Sequence, residues 1–381
     1  MENTVVAPES LHNLQDGGAE RNLGIDALRL FSMLLIVVHH VLGHGGVLSG
    51  TCGIKHEAFV ILNVLAYCAV DCYAIVSGYV GVRSRSGRYH VAGYLKLWVS
   101  VVFYGVGILL GYYLLRPDQF AWLPLVRAVF PVASIQYWYF SAYTGLFLVR
   151  PWLNRFFSTN DQRSTTKLLL VLVGGFSVFS LCAEAAFSAD PFFLGTGYSA
   201  LWLMILYCLG AWLRQCRIPE KLSSRRAWLI IVCCYGVILV GVFILDFFSG
   251  SVIVFINPLY ALIAAMYVVI FSKLKLSGWS EKLVRCFAPA AFGVYLIHDN
   301  PNIREKFISG SFQMVSALPS IQMFAAVLGI VLGVFIVCLC VEKLRLIIFK
   351  RIGIDKLIER IAQAIEGASR RCFVFLYSKL D

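Results

Sequence analysis

The sequence predicts an all-α integral membrane protein, a bundle of about ten transmembrane helices with both termini in the cytoplasm. Hydrophobic residues make up 59% of the chain and charged residues only 14%, and the mean hydropathy is +0.78. A typical soluble domain is nearer half apolar and about a quarter charged. Most of the apolar segments that recur along this chain are long enough for a helix to cross about 30 Å of hydrocarbon.

Each predicted span is an apolar segment bounded by polar or charged residues. The fourth and sixth spans are short, so a tilted, broken or re-entrant helix is the alternative for each of them. The ten spans are 24–42, 58–80, 92–115, 136–150, 167–187, 198–213, 228–248, 252–272, 284–299 and 321–341.

The basic residues predict the orientation of the bundle. If the N-terminus is cytoplasmic and the ten spans alternate, 27 of the 33 Lys and Arg lie on the cytoplasmic side. Such an excess of positive charge in the inner loops is the usual pattern of membrane proteins, and it predicts a multi-pass protein of the plasma membrane. The net charge of +12 is therefore explained by topology and membrane lipids, and we expect no nucleic acid as partner.

The chain divides into three predicted regions. Residues 1–20 are polar and without periodicity, which predicts a disordered cytoplasmic tail. Residues 21–348 form the membrane-embedded domain. Residues 349–381 place isoleucines and a leucine at helical spacing among charged residues, which predicts a cytoplasmic amphipathic helix on the membrane surface. The loops are short, so any chemistry must lie within the bundle.

Ionisable side chains at bilayer depth are costly and are therefore candidate functional residues. The first span carries Asp26, Arg29, His39 and His40. At about 100° per residue, Arg29 and His40 share a stripe, Asp26 lies about 60° from Arg29, and His39 points about 100° away from His40. Helix geometry therefore selects His40 for a site and leaves His39 as a neighbour. The alternative is that Asp26 and Arg29 form an i,i+3 ion pair near the cytoplasmic surface.

Asp71 is the ionisable residue of the second span. Because its depth is similar to that of Arg29 in the antiparallel first span, we expect either a buried Arg29–Asp71 ion pair or a direct contact of Asp71 with a ligand.

The other candidates are aromatic residues and one histidine. His298 and Tyr295, one turn apart in the ninth span, are expected near the depth of His40, although a histidine beside Asp299 is also typical of a helix cap. Trp138 and Tyr139 belong either to an interfacial aromatic belt or to a wall on which sugar rings stack.

We expect no metal site. His40 and His44 have the spacing of two ligands on one helix, but Gly43, Gly45 and Gly46 predict that the helix ends first. The twelve cysteines lie mostly in apolar spans and are interpreted as small buried hydrophobic residues.

Four groups of these residues, in order along about residues 21–345, resemble the acyltransferase 3 family of membrane-bound O-acyltransferases that modify bacterial envelope sugars. One departure is Cys72-Tyr73 where the family usually has Phe-Phe. The matching residues are Asp26, Arg29 and His40; then Asp71, Tyr73, Ser77, Gly78 and Tyr79; then Trp138, Tyr139 and Pro151; and last Gly293, Tyr295 and His298.

The resemblance implies transfer of an acyl group, most often acetyl, from acyl-coenzyme A to a carbohydrate hydroxyl. Coenzyme A is then a co-substrate rather than a bound cofactor, and the acceptor is an envelope or extracellular polysaccharide or its lipid-linked precursor. A transporter or flippase of an envelope lipid or sugar is the alternative function.

The resemblance also implies roles for the candidate residues. His40 would be the general base, or would carry the acyl group as an acyl-imidazole. Asp26, Arg29 and Asp71 would complete the catalytic site by positioning the donor or shaping the cavity. The implied substrate-binding residues are Tyr73, Ser77, Trp138, Tyr139, Tyr295 and His298.

The topology makes a direct prediction. Reporter fusions after residues 88, 160, 220, 280 and 360 should all report a cytoplasmic location, because the inner segments hold the excess of basic residues. A fusion at residue 160 that reports the outside would show that segment 136–150 does not cross the membrane.

Overall fold

The computed structural model describes residues 21–82, 89–243 and 252–377, and within those ranges it is helical and contains no strand. The predicted tail, residues 1–20, lies outside the described residues.

The first half of the chain forms helices that pass back and forth through one bundle. Helices α2 and α3 are nearly continuous and are separated only by a turn at Tyr67 and Cys68. The bounds are α1 Leu23–Leu42, α2 Gly53–Ala66, α3 Ala69–Gly81, α4 Val91–Leu115, α5 Trp122–Val129, α6 Trp138–Thr159, α7 Gln162–Val171 and α8 Phe179–Phe187, with a π-helical turn Leu172–Val178 between the last two.

The second half contains both the shortest and the longest helices of the bundle. The bounds are α9 Ala200–Gln215, α10 Ile218–Lys221, α11 Ser224–Phe243, α12 Pro258–Ser272, α13 Gly278–Phe287, α14 Ala291–His298, α15 Pro301–Ile303, α16 Ser320–Ile352 and α17 Ile354–Tyr377.

Side-chain caps fix where several helices begin. The Asn22 side chain accepts a hydrogen bond from the Ile25 amide at 3.1 Å, and Ser199 does the same for the Trp202 amide at 3.1 Å. A capping oxygen satisfies an amide that has no partner within the helix, which is worth about 1 kcal/mol. The Asn22 amide also donates to the Ser272 carbonyl at 2.8 Å, so it joins the start of α1 to the end of α12.

Among the residues that the structure describes, six helical segments are long and apolar enough to cross a membrane, which supports a helical membrane protein. They are Leu23–Leu42, Gly53–Gly81, Val91–Leu115, Gln162–Phe187, Ser224–Phe243 and Ser320–Ile352. The other four predicted spans coincide with α6, with the shorter helices α9 and α12, and with the pair α13 and α14. The count of ten crossings and the orientation of the termini stay predictions.

The helix bounds differ from the predicted segments at two places. The ninth span is not one helix, because a 3-10 turn that contains Pro289 separates α13 from α14. Proline cannot donate the backbone hydrogen bond that would continue the helix. The tenth helix does not end near residue 341, because α16 continues to Ile352 and the chain turns at Gly353, where φ is 82°. The C-terminal helix therefore begins at Ile354 rather than at 349.

The centre of the bundle is the contact between α3 and α9. Trp202 and Tyr207 of α9 are fully buried, and Gly78 and Gly210 lie where the two backbones approach closely. A Cβ atom at Gly210 would collide with the Ile75 carbonyl, which belongs to the helix and cannot move aside. Two small residues thus allow close packing of helices inside a membrane.

The G-x-x-x-G pairs of α4 and α16 behave differently. Gly107, Gly111, Gly329 and Gly333 would favour close helix approach by sequence alone. Apart from the helix's own backbone, no described atom lies within 4 Å of a Cβ placed at any of them. Between α3 and α9 the close approach is made instead at Gly78 and Gly210.

Helix α17 lies against α4 and divides its apolar residues between two environments. Ile358 and Ala362 are buried, whereas Leu357, Ile361 and Ile365 are exposed. Lys96 of α4 donates to Glu359 at 2.9 Å, and this hydrogen bond lowers the pKa of the Glu359 carboxyl. Both side chains are exposed, so the pair contributes little to stability. An amphipathic helix is present, and its place on the membrane surface stays a prediction.

The contact between α3 and α9 predicts a strong effect of one methyl group. Gly210→Ala should destabilise the protein by about 1–3 kcal/mol, because the added Cβ forces two helix backbones apart. The measurement is the thermal midpoint of the detergent-solubilised protein, followed by size-exclusion chromatography of a fluorescent fusion.

Gly111→Ala is the matched control, since its Cβ would enter open space. Equal midpoints for the two variants would contradict the proposed backbone contact.

Candidate active site

A cavity lies among α1, α2, α3, α6 and α14. Its walls are mostly aromatic, and its polar side chains are two histidines, five tyrosines and one tryptophan. The lining residues are Met33, Ile36, His39, His40, Ala66, Tyr67, Ala69, Val70, Tyr73, Trp138, Tyr139, Tyr198, Phe255, Phe292 and Tyr295.

Helix α1 contributes both of its histidines to this cavity. The expectation that His39 points away from the site is wrong, because the cavity extends around the end of α1 rather than along one stripe. The His39 and His40 rings lie 5.7 Å apart, centroid to centroid. On its other side the His39 ring contacts Tyr67 edge-on, with centroids 5.0 Å apart.

His40 is held by a hydrogen-bonded histidine relay. The Nδ1 atom of His298 lies 2.6 Å from the Val294 carbonyl oxygen, and its Nε2 atom lies 2.9 Å from Nδ1 of His40. A carbonyl oxygen only accepts, so Nδ1 of His298 carries the hydrogen. Nε2 of a neutral His298 then accepts from Nδ1 of His40, and Nε2 of His40 keeps a free lone pair.

An acidic and a basic side chain lie beside this relay. The Asp299 carboxylate is 3.8 Å from Nδ1 of His40 and forms an ion pair with Arg304 at 3.1 Å. His44 completes the group, with its ring centroid 5.0 Å from that of His40. Ligand atoms of His40, His44 and Asp299 lie within 4.8 Å of one another, which is close enough for a cation. Nδ1 of His40 is bonded to His298 and Oδ1 of Asp299 to Arg304, so we assign the group to the relay.

Arg29 and Asp26 form the i,i+3 ion pair that the sequence offered as an alternative. Their atoms lie 2.7 Å apart, and Arg21 lies 2.5 Å from the other Asp26 oxygen. Neither residue lines the cavity. The nearest link is the Tyr73 hydroxyl, which donates to the Arg29 carbonyl at 2.8 Å. The pair therefore supports the cavity wall from the side where α1 begins.

The expected ion pair between Arg29 and Asp71 does not form, because Arg29 pairs with the Asp26 carboxylate one turn away on its own helix. Asp71 is fully buried, and its Oδ1 atom accepts from the Trp202 indole at 3.2 Å. Its Oδ2 atom has no partner among the described residues. Asp71 does not line the cavity, so the structure offers a contact with α9 and no direct ligand contact.

Four of the six predicted substrate-binding residues, Tyr73, Trp138, Tyr139 and Tyr295, line the cavity. Trp138 packs against Tyr198 with ring centroids 4.5 Å apart. These rings face inward, so they do not form the interfacial belt that was the alternative.

The remaining two predicted residues lie elsewhere. Ser77 donates to the Tyr73 carbonyl at 2.9 Å within α3, which is a local helix contact. His298 lies behind His40 and is buried, so it contacts the candidate base rather than the cavity.

Helix α14, which carries Tyr295 and His298, is positioned by a buried ionic contact. Gly293 faces the Glu342 side chain so closely that a Cβ would collide with it. Glu342 in turn accepts from the Arg345 guanidinium at 2.6 and 2.7 Å and from the Tyr104 hydroxyl at 2.7 Å. A bidentate pair with a third hydrogen bond satisfies a charge that would otherwise be costly at this depth.

Sequence reasoning missed several residues of the site. His39 was set aside by helix geometry, and Glu342 and Arg345 lie just after the predicted tenth span, 321–341. Three further lining residues lie in apolar segments that resemble those of the other spans, so the sequence does not distinguish them: Tyr67, Tyr198 and Phe255. Their positions in the wall result from the packing of separate helices, and no local pattern marks them.

The bundle and its cavity define a membrane protein in which a half-buried histidine faces an aromatic chamber. An acyltransferase domain model matches residues 22–343, and the chain belongs to the acyltransferase 3 family. It is therefore a membrane acyltransferase. Searches of curated proteins and of solved structures gave no match.

The relay makes a prediction about His298. His298→Leu should lower acyl transfer, because Nδ1 of His40 then loses the acceptor that fixes its tautomer and ring orientation. His298→Gln should lose less, since its amide oxygen can accept the same hydrogen. The measurement is the rate of acyl transfer per amount of membrane protein. Equal losses in the two variants would contradict the relay.

Proposed function

We propose that the protein transfers an acetyl group from acetyl-coenzyme A to a hydroxyl of a carbohydrate, an envelope or extracellular polysaccharide or its lipid-linked precursor. The observation that carries this proposal is the His40 ring, which lines the cavity and makes its hydrogen bond to a described residue at Nδ1, so that Nε2 is left for a substrate.

The relay suits general-base catalysis. Nε2 of His40 takes the proton of the acceptor hydroxyl while the oxygen of that hydroxyl bonds to the carbonyl carbon of the thioester. The tetrahedral intermediate then expels the thiolate, which receives the proton from the imidazolium. The products are an ester and free coenzyme A, and His40 is neutral again. The transient charge on His40 lies 3.8 Å from the Asp299 carboxylate, which favours it.

Tyr295 is suited to the negative charge that develops on the carbonyl oxygen. Its ring lines the cavity, and its buried hydroxyl has no partner within the described ranges. A free donor fixed in a water-poor site stabilises an oxyanion without reorganisation. We therefore assign Tyr295 to the intermediate rather than to ground-state binding of the sugar.

The cavity wall favours neutral reacting groups. The described residues that line it include no Lys, Arg, Asp or Glu. The phosphates of coenzyme A would lie unpaired there, and charge burial without a partner is costly. We propose that only the acyl thioester and its pantetheine arm enter, while the basic inner segments hold the phosphates. The donor then comes from the cytoplasm and the acceptor from the outer side.

Acyl transfer in membrane vesicles tests this proposal. Inside-out vesicles should transfer label from acetyl-coenzyme A into an alkali-sensitive bond on an endogenous glycan. His40→Ala should lower the rate by about 10²–10⁴-fold, the usual contribution of a general base.

His90→Asn is the matched control, because His90 lies outside the cavity and asparagine preserves its cap on α4. It should transfer label at the wild-type rate. If wild-type vesicles form no alkali-sensitive product, or if His40→Ala transfers label normally, the proposal is wrong.

A further inference from the structure

The His39 ring, like that of His40, is hydrogen-bonded at Nδ1 and lines the cavity. Its Nδ1 atom lies 2.7 Å from Oδ1 of Asn63 on α2. An amide oxygen only accepts, so Nδ1 of His39 carries the hydrogen and Nε2 has a free lone pair. The hydrogen bond that the His39 ring makes to a described residue is this one at Nδ1, and the ring lines the cavity. The chamber therefore receives two adjacent imidazoles, each fixed at Nδ1.

The groups that contact the two rings differ. His40 hydrogen-bonds a second imidazole, that of His298, and lies 3.8 Å from the Asp299 carboxylate, which also pairs with Arg304. His39 packs against the edge of Tyr67 and, at 6.5 Å between centroids, against Phe255, and its Nδ1 atom meets a neutral amide. An imidazolium is disfavoured in such neutral, apolar surroundings. His39 is thus arranged to accept a hydrogen bond and not to hold a proton.

We propose that His39 binds the acceptor through a second hydroxyl, the neighbour of the hydroxyl that His40 activates. Neighbouring hydroxyls of a sugar ring would lie between the two Nε2 atoms, whose rings are 5.7 Å apart. The acceptor is then a carbohydrate with two adjacent free hydroxyls, and one of them is acylated. This inference rests on the proposed function, and it adds the recognition element that selects the site of acylation.

A hydrogen bond between His39 and the acceptor would supply a selectivity that the mostly aromatic walls of the chamber lack. Aromatic faces bind the apolar faces of a sugar ring but do not distinguish one hydroxyl from the next. A hydrogen-bond acceptor at a fixed place does distinguish them, because the wrong orientation leaves a buried polar atom unpaired. His39 is therefore expected to determine regioselectivity, whereas His40 determines the rate.

Four variants test the inference in inside-out vesicles with labelled acetyl-coenzyme A and the endogenous glycan. His39→Leu should lower transfer by about 10-fold, the effect of one lost hydrogen bond. His39→Gln should lose less, because its amide oxygen can accept near the position of Nε2. His40→Leu and His40→Gln should both fall by about 10²–10⁴-fold, since an amide cannot take up a proton.

Two further measurements separate acceptor binding from general structural damage. The KM for acetyl-coenzyme A should be unchanged in both His39 variants, because the donor does not touch this residue. Nuclear magnetic resonance of the released glycan should show a single ester position for the wild type and a mixture of neighbouring positions for His39→Leu.

The outcomes are distinguishable. Wild-type vesicles without transfer would overturn the proposed function itself. With wild-type transfer intact, three results would overturn only the role of His39: full activity of His39→Leu at one ester position, equal losses in His39→Leu and His39→Gln, or a raised KM for acetyl-coenzyme A in both.

Discussion

The hydrogen bond between Nδ1 of His40 and Nε2 of His298 connects the two helices on which the site depends, α1 and α14. The Val294 carbonyl accepts a hydrogen bond from Nδ1 of His298 and thereby fixes the tautomer of His298. His298 in turn fixes the tautomer of His40, whose ring lines the cavity. The free lone pair of His40 follows from that chain. A shift of α14 relative to α1 would break the hydrogen bond between His40 and His298. The packing behind α14 therefore helps to position the site.

The packing behind α14 uses a charge deep in the bundle. Glu342 meets Gly293, and its carboxylate is satisfied by Arg345 and Tyr104. A carboxylate so satisfied has one stable position, and it excludes any larger side chain at residue 293. The cost of burying the pair is offset by three hydrogen bonds rather than by water, which gives α14 a rigid support.

The hydrocarbon surroundings divide the polar groups of this protein into two kinds. Asp26, Glu342 and Asn154 have partners and serve the packing of helices. The buried hydroxyl of Tyr295 has none in the described part of the chain, and the same holds for buried oxygen atoms of Ser32, Asp71, Gln136, Ser180 and Tyr260. Tyr295 lines the cavity together with His39 and His40, and we expect a bound substrate to supply its missing partner.

The sequence by itself determined the membrane class and the approximate place of most helices, and it singled out five residues that line the cavity, His40, Tyr73, Trp138, Tyr139 and Tyr295. Hydropathy and ordered motifs are local, so they are visible without a fold. The tertiary structure decided the partners. It paired Arg29 with Asp26 instead of Asp71, placed His298 behind His40, brought His39 into the cavity and extended α16 to include Glu342. Those outcomes depend on contacts between helices that are far apart in the chain. Helical periodicity gives the direction of a residue on its own helix, but it does not show which residue of another helix that side chain contacts.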